Sequence, residues 1–374
     1  MPKMWNPFET RFGHPCYGSV FTNKTDHGTA DPKATWWTKE LLQDLYRLPP
    51  NRCLIGQHLG SHEPAGFDST FDRHVDQFAA KTGGLVPALL SVDFDPNAEL
   101  AAVTDRLVKS HTSAKKFFPA GRTCGIVSVN WHPAHPWLVD GDAWSKEPVG
   151  TAAELIDSSS TPGGRWKSEL DRIATGLERL QQARVPVLFR PLHEMNGNWF
   201  WWNRVKPFKV VWDHMFEYLT KHRGLHNLLW VHSPVVGHPD VATAVDDPAF
   251  YPGDGKVDIV ALDAYSTLQD DYVDQHLIES YDALLKKGKP FGFSEYGAPL
   301  DDPMALASDV NQRFDQGAWA EMLAKDFPRA VFAIAWMTSD PGTGTHFWSL
   351  ADTKNFKVYM EHAVTRSRKW LPVK

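Results

Sequence analysis

The chain has 374 residues, 42% of them hydrophobic and 22% charged, with a formal net charge of −6. That length carries one large barrel or two medium domains around a sizeable core, and so mild a charge points to neither nucleic acid nor an anionic membrane as partner. No stretch approaches about 18 consecutive apolar residues, so no membrane span is expected. Three cysteines, Cys16, Cys53 and Cys124, allow one disulfide at most, and Cys53 and Cys124 sit in strand-like runs that suit buried thiols. The unusual count is 16 tryptophans, clustered at Trp36 and Trp37, at Trp131 and Trp137, and at Trp199, Trp201 and Trp202. Tryptophan packs cores, and it also stacks on the flat faces of pyranose rings. The opening MPKMWNPFETRF has no apolar segment of the signal-peptide kind, so either the protein is intracellular or the sequence begins at a mature end.

Residues 1–50 read as a segment that caps or flanks the rest of the chain, with Trp36 and Trp37 opening a helix. CLIGQH (53–58) is the first strand, FDRHVDQFAA (71–80) a helix, and LVPALLSVD (85–93) the second strand. ELAAVTDRLVKS (99–110) is helical and CGIVSVNWH (124–132) is the third strand. Residues 132–164, rich in Pro, Gly, Ser and Asp, read as a long loop before a helix at 166–183. The fourth strand is VPVLFRPLHE (185–194), then a helix at 208–222 and NLLWVHS (227–233) as the fifth. VDIVALDAY (257–265) is the sixth, followed by a helix at 274–288. PFGFSEYG (290–297) is the seventh and VFAIAWMTSD (331–340) the eighth. Near-continuous apolar strands suit a parallel sheet covered on both faces. Eight strands alternating with amphipathic stretches, and no GxGxxG after any of them, predict an α/β fold: a single-domain (β/α)8 TIM barrel over residues 1–374.

Barrel enzymes build their sites where strands end at the C-terminal face. The fourth strand runs into RPLHEMNGNWFWW (190–202) and the seventh into FSEYG, so Glu194 and Glu295 end strands that face one another across the mouth. Two carboxyls so placed can flank a glycosidic bond, one protonated to assist the leaving group and one ionised to attack the anomeric carbon. The aromatic run after Glu194 then supplies walls for stacked sugars.

RPLHEMNGNWFWW followed by FSEYGAP resembles glycoside hydrolase family 26, whose best-known members are endo-β-1,4-mannanases. The likeness extends to IGQH (55–58), VNWHPAHP (129–136), DAY (263–265) and AWMTSD (335–340), and so covers most of the chain. It implies Glu194 as acid/base and Glu295 as nucleophile of a retaining double displacement on internal β-1,4 bonds of mannan or glucomannan. It also implies Tyr265 as hydrogen-bond partner of the nucleophile, with His132, His193, Trp199 and Trp336 around the sugar at the cleavage point. One departure is Asn203, where many members follow WFWW with Gly; it bears on loop shape rather than chemistry. The family is usually secreted, which the absent signal peptide does not match.

Other readings stay open on the residues alone. A lone His is more often a satisfied core residue than a ligand, and of adjacent Trp201 and Trp202 at least one should be packing. Asp93 and Asp263 are equally substrate ligands or structural acceptors. A metal-dependent hydrolase would recruit His58, His132, His232 and Asp263, but HExxH is absent because position 197 is Gly, so no metal and no cofactor are expected. A non-catalytic carbohydrate-binding barrel would keep the aromatics without needing both glutamates. Within the family, β-1,3-xylan and mixed-linkage β-1,3-1,4-glucan are the alternative substrates. The expected partner is the polysaccharide alone, met by a monomer.

Overall fold

The computed structural model describes residues 27–60, 78, 80–112, 125–238, 240–265, 275–297, 314–336 and 350–366. Eight strands form the barrel: β1 Cys53–His58, β2 Leu89–Asp93, β3 Ile126–Trp131, β4 Val187–Pro191, β5 Leu228–His232, β6 Ile259–Tyr265, β7 Phe291–Gly297 and β8 Ala330–Ala335. Each pairs in parallel with the next. Leu54 to Gln57 of β1 pair with Phe332 to Ala335 of β8, which closes the ring. Two-residue strands add to it, Thr365–Arg366 beside β1 and Val235–Val236 beside β6.

Successive side chains of a strand point to opposite faces, and the packing separates into two cores on that rule. Ile55, Leu90, Val92, Val127, Val129, Val187, Phe189, Trp230, Val260 and Phe293 face outward and pack with helix residues such as Leu107, Leu170, Leu177 and Trp319. The alternate positions Leu54, Leu89, Ile126, Leu188, Leu229, Ile259 and Phe332 fill the inside at the N-terminal end. Gly292 belongs there by fit, because a side chain on it would collide with the ring of Phe332. Continuing each inward row toward the C-terminal end replaces these apolar groups with His58, Asp93, Asn130, Arg190 and Asp263, all buried.

The expected helices are present as α1 Trp36–Arg47, α2 Leu100–Thr112, α4 Thr161–Gln182, α5 Phe208–Glu217 and α6 Gln275–Leu285, with α5 running on through a π-helical turn at Tyr218–His222. The loop predicted over 132–164 carries more helix than its composition suggested. Ser160 caps Gly163 and Pro162 fits the first turn, so α4 starts at Thr161 rather than Trp166, and a short α3, Ala152–Ile156, stands on its own cap at Thr151. Gln316–Lys325 (α7) and Phe356–Glu361 (α8) follow later in the chain. Of the helix expected over 71–80, Phe78 and Ala80 are described and are helical, while its other residues lie outside the described ones, as do the last residues of the eighth strand, 337–340, and Cys16 and Cys124. Cys53 is a free, buried thiol.

α1 seals the bottom of the barrel. Its buried residues Trp37, Leu41 and Leu45 recur every fourth position, the spacing of one helical face, and Leu41, Leu42 and Leu45 join the inward core with Leu54, Leu188 and Ile259. Asp258 at the foot of β6 accepts the amides of Ala30 and Trp230, at 2.7 and 2.8 Å, and so ties the segment before α1 to the barrel. Leu42 is 1% exposed, so Leu42→Ala should lower unfolding free energy by about 2–5 kcal/mol. The site lies at the opposite end, so turnover at a temperature where the variant is folded should be unchanged. Chemical denaturation alongside kinetics reads both.

Candidate active site

The strand expected to end in Glu194 stops three residues earlier. β4 finishes at Pro191, and Leu192 and Glu194 then adopt positive φ of 49° and 51°, a conformation costing side-chain-bearing residues about 1–3 kcal/mol each. The turn is held from three sides. The Glu194 amide donates to Ser233 O at 2.7 Å, and its carbonyl accepts from the Gly197 amide at 2.9 Å and from Asn203 Nδ2 at 2.8 Å. Asn203 Oδ1 also accepts the Phe200 amide at 2.7 Å. The residue that departs from the family pattern is thus a clamp on the glutamate's backbone.

Glu295 reaches the mouth by a different device. Leu262 pairs with Phe293 but Asp263 pairs with Glu295, so Ser294 is one residue too many and β7 bulges. The bulge turns both Ser294 and Glu295 toward the barrel axis, where strict alternation would have sent one of them outward.

Three carboxyls meet there. Glu194, Asp263 and Glu295 each offer an oxygen within 4.8 Å of the others. Arg190, buried two positions into the barrel from Leu192, donates through Nη2 to Asp263 Oδ2 and, at 2.6 Å, to Glu295 Oε1. Asp263 Oδ1 accepts from Ser233 Oγ at 3.0 Å and Ser294 Oγ at 2.7 Å. Tyr265 Oη donates to Glu295 Oε2 at 2.5 Å; burial, then the facing Glu295, hold that phenol well above its usual range and keep its proton. Among the described residues, Glu194 Oε2 accepts only the indole N–H of Trp199, at 2.6 Å. Gly197 makes room for that ring, since a methyl there would lie 2.5 Å from it. Burial first, then Glu295 and Asp263, raise Glu194 well above the ordinary carboxyl range, against the pull of Arg190 and Trp199.

Of the other residues expected in the site, Tyr265 and Trp199 bond the two glutamates. His193 is buried with Nε2 4.0 Å from Glu295 Oε1, and burial, followed by Arg190 and His132, holds it well below its usual range and so neutral. His132 meets His193 edge to face at 4.5 Å, and Trp336 stacks on His58 at 3.9 Å. The aromatic run corrects the expectation of a sugar-stacking wall. Trp199 alone faces the carboxyls, while Phe200, Trp201 and Trp202 are buried. Phe200 and Trp202 stack at 4.2 Å, and the two indole N–H groups bond Pro133 O and His193 O. These rings build the layer behind the site. Asp263 is a structural acceptor with no exposure.

Sequence reasoning passed over Arg190, Ser233 and Ser294. An Arg next to last in the strand VLFRP was the available signal for the first; the serines had none. His232 turns to the outer face against Trp212 and Tyr251, so it does not join His58, His132 and Asp263. Two sets have the spacing of metal ligands among the described residues, Glu194–Asp263–Glu295 and Asp93–Asp95–His132. In the first, Arg190 already supplies the positive charge; in the second, a hydrogen bond joins His132 Nδ1 to Asp95 Oδ1 at 3.1 Å.

A closed parallel barrel with one carboxyl pushed well above its ordinary range and another held by cationic and phenolic donors across its mouth has the parts of a glycoside hydrolase. The chain belongs to glycosyl hydrolase family 26, whose model matches residues 30–331. It is 32% identical over 321 residues to the mannan endo-1,4-beta-mannosidase A and B of Caldalkalibacillus mannanilyticus, covering 82% of this chain and 57% of that protein, so it spans little more than half of that relative's length. To the mannan endo-1,4-beta-mannosidase of Bacillus subtilis strain 168 it is 32% identical over 323 residues, covering 82% of this chain and 81% of the relative. The solved structure of Bacillus subtilis mannanase man26 superposes with a TM-score of 0.70 at 27% identity, covering 91% of this chain and 95% of that one.

Asn203→Ala removes both bonds of the clamp and leaves a buried carbonyl short of a donor. It should cost about 1–3 kcal/mol of stability and lower kcat more than it raises KM, because the strained Glu194 turn relaxes. Unchanged kcat in a folded variant would show that Glu194 is held without Asn203.

Proposed function

We propose that the protein is an endo-acting hydrolase of β-1,4-mannan or glucomannan that retains anomeric configuration, with Glu295 as nucleophile and Glu194 as acid/base. The observation that carries the reading is the spacing and inequality of the two carboxyls. Oxygens within 4.8 Å fit the roughly 5–5.5 Å carboxyl separation of retaining enzymes, not the roughly 6.5–9.5 Å needed to seat an attacking water. Substrate choice is supported by the names of the relatives above.

In the first step Glu295 attacks the anomeric carbon as Glu194 passes its proton to the departing oxygen, leaving a glycosyl ester. Arg190 and Tyr265 orient Glu295 by the bonds described. In the second, Glu194, now a carboxylate, takes a proton from water whose oxygen displaces Glu295. Trp199 keeps Glu194 aimed, and His132, His193 and Trp336 surround the sugar at the cleavage point. One chain carries every residue used, so a monomer of one domain suffices, with residues 1–50 as its flanking segment. Among the described residues no helix is long and apolar enough to cross a membrane. A polymer substrate is met outside the cell, so the reading includes secretion.

Viscosity of a mannan solution should fall well before reducing ends accumulate. Activity confined to β-1,3-xylan or mixed-linkage glucan would overturn the substrate and leave the mechanism.

Separate substitutions distinguish the two glutamates. Glu194→Ala should be nearly inactive on polysaccharide but should still form the intermediate from an aryl mannoside with a good leaving group, and azide should then restore turnover with a β-azide product. Glu295→Ala should fail on both substrates, with azide giving at most the α-product. Wild-type kcat/KM on mannan should fall as pH rises through the raised Glu194 value, because the proton it donates is lost there. The reverse pattern between the variants would exchange the roles, and a first-formed sugar of inverted configuration would end the double-displacement reading.

A further inference from the structure

Beside the three carboxyls lies a second buried polar chain, of which the mechanism above uses only His132. His58 Nδ1 accepts the Gly60 amide at 3.3 Å, and its Nε2 lies 3.1 Å from Asp93 Oδ1. The same oxygen accepts from Asn130 Nδ2 at 3.2 Å and lies 3.7 Å from His132 Nδ1. His132 Nδ1 makes its closest contact with Asp95 Oδ1, at 3.1 Å. All five side chains are buried.

The groups facing His132 come from every side of its pocket. Asp93 and Asp95 approach from the end of β2 and Glu295 acts from β7. From beyond β4 come His193, Phe200 and Trp202, and Trp144 of the long loop stacks on the ring at 5.5 Å. A carboxylate on Nδ1 requires that nitrogen to donate. Burial alone would empty the ring of its extra proton, yet Asp95 and Asp93 outweigh it and raise His132 above its usual range. The neighbouring His193 goes the other way. The two touching imidazoles are thus pushed in opposite directions.

We propose that Asp95 is a positioning residue for the hydrolysis: bonded to Nδ1 of His132, with Asp93 behind it, it keeps that ring an imidazolium whose Nε2–H donates to a hydroxyl of the sugar held over Glu295. This rests on the reading that the sugar lies between Glu194 and Glu295 with His132 beside it. A donor that carries charge bonds a hydroxyl roughly twice as strongly as a neutral one, and a bond that tightens as the ring flattens lowers the barrier itself.

Asp95→Asn tests it, because it keeps the shape and a hydrogen-bonding oxygen while removing the charge. Without that charge the His132 pKa drops, so the ring stays charged only in acid. The variant should match wild type near pH 5 and fall about 10-fold below it in kcat/KM by pH 8, mostly in kcat. In a His132→Gln background the same substitution should change nothing further, whereas a merely structural Asp95 would cost the same in both backgrounds. Ring-nitrogen NMR at pH 7 should find both nitrogens of His132 protonated in wild type and one in Asp95→Asn. A variant-to-wild-type ratio that does not change with pH, or a neutral His132 in wild type, overturns the proposal. So does wild-type activity lost to a chelator and restored by a divalent cation, since a metal would then hold the place given to the proton. The NMR result needs no turnover, so it stands or falls separately from the assignment of the two glutamates.

Discussion

Everything at the mouth of this barrel depends on one guanidinium among three carboxyls. Two like charges within 4.8 Å of one another repel by about 3.5 kcal/mol or more even at an effective dielectric of 20. Glu194, Asp263 and Glu295 therefore cannot all ionise against Arg190 alone. The distribution of donors decides which one keeps a proton. Arg190 and Tyr265 serve Glu295, while Arg190, Ser233 and Ser294 serve Asp263. Glu194 has the Trp199 indole and nothing else among the described residues, and burial and its neighbours push it well above the ordinary range; burial lifts Asp263 as well, to about 7, against its own donors. The inequality that acid and nucleophile roles need is already present in the resting protein.

A cluster this expensive to desolvate needs a rigid support. The barrel supplies it by dividing its interior into an apolar layer at the N-terminal end, sealed by α1, and a polar layer above. Because inward positions alternate along each strand, the row that gives Leu188 to the lower layer gives Arg190 to the upper one, and the row of Ile259 gives Asp263. Two irregularities then aim the outer carboxyls: the bulge at Ser294 and the left-handed turn at Leu192 and Glu194. Both store local strain where function is built.

The tryptophans serve that support more than they serve a sugar. Trp201 and Trp202 are buried, and their N–H groups hold the backbone of Pro133 and His193. They fix the height of the loop on which Trp199 and Asn203 grip Glu194 from opposite sides, side chain and carbonyl. An aromatic run next to an acid thus acts largely as scaffolding.

The sequence by itself determined the eight strands, the order of strands and helices, and the two glutamates as acids near strand ends. Those are properties of single elements: apolar runs report burial, and a polar residue closing a run reports the rim. It could not show that Trp201 and Trp202 turn inward, since adjacent rings give no period to read. Nor could it place Asp95 on His132, or show that one extra residue in β7 swings Glu295 to the axis. Arg190 meets Asp263 and Glu295 across 73 and 105 residues of chain. Only closure of the ring brings such groups together, because a bond between distant positions leaves no pattern within either strand and exists only once the tertiary fold has set the register between them.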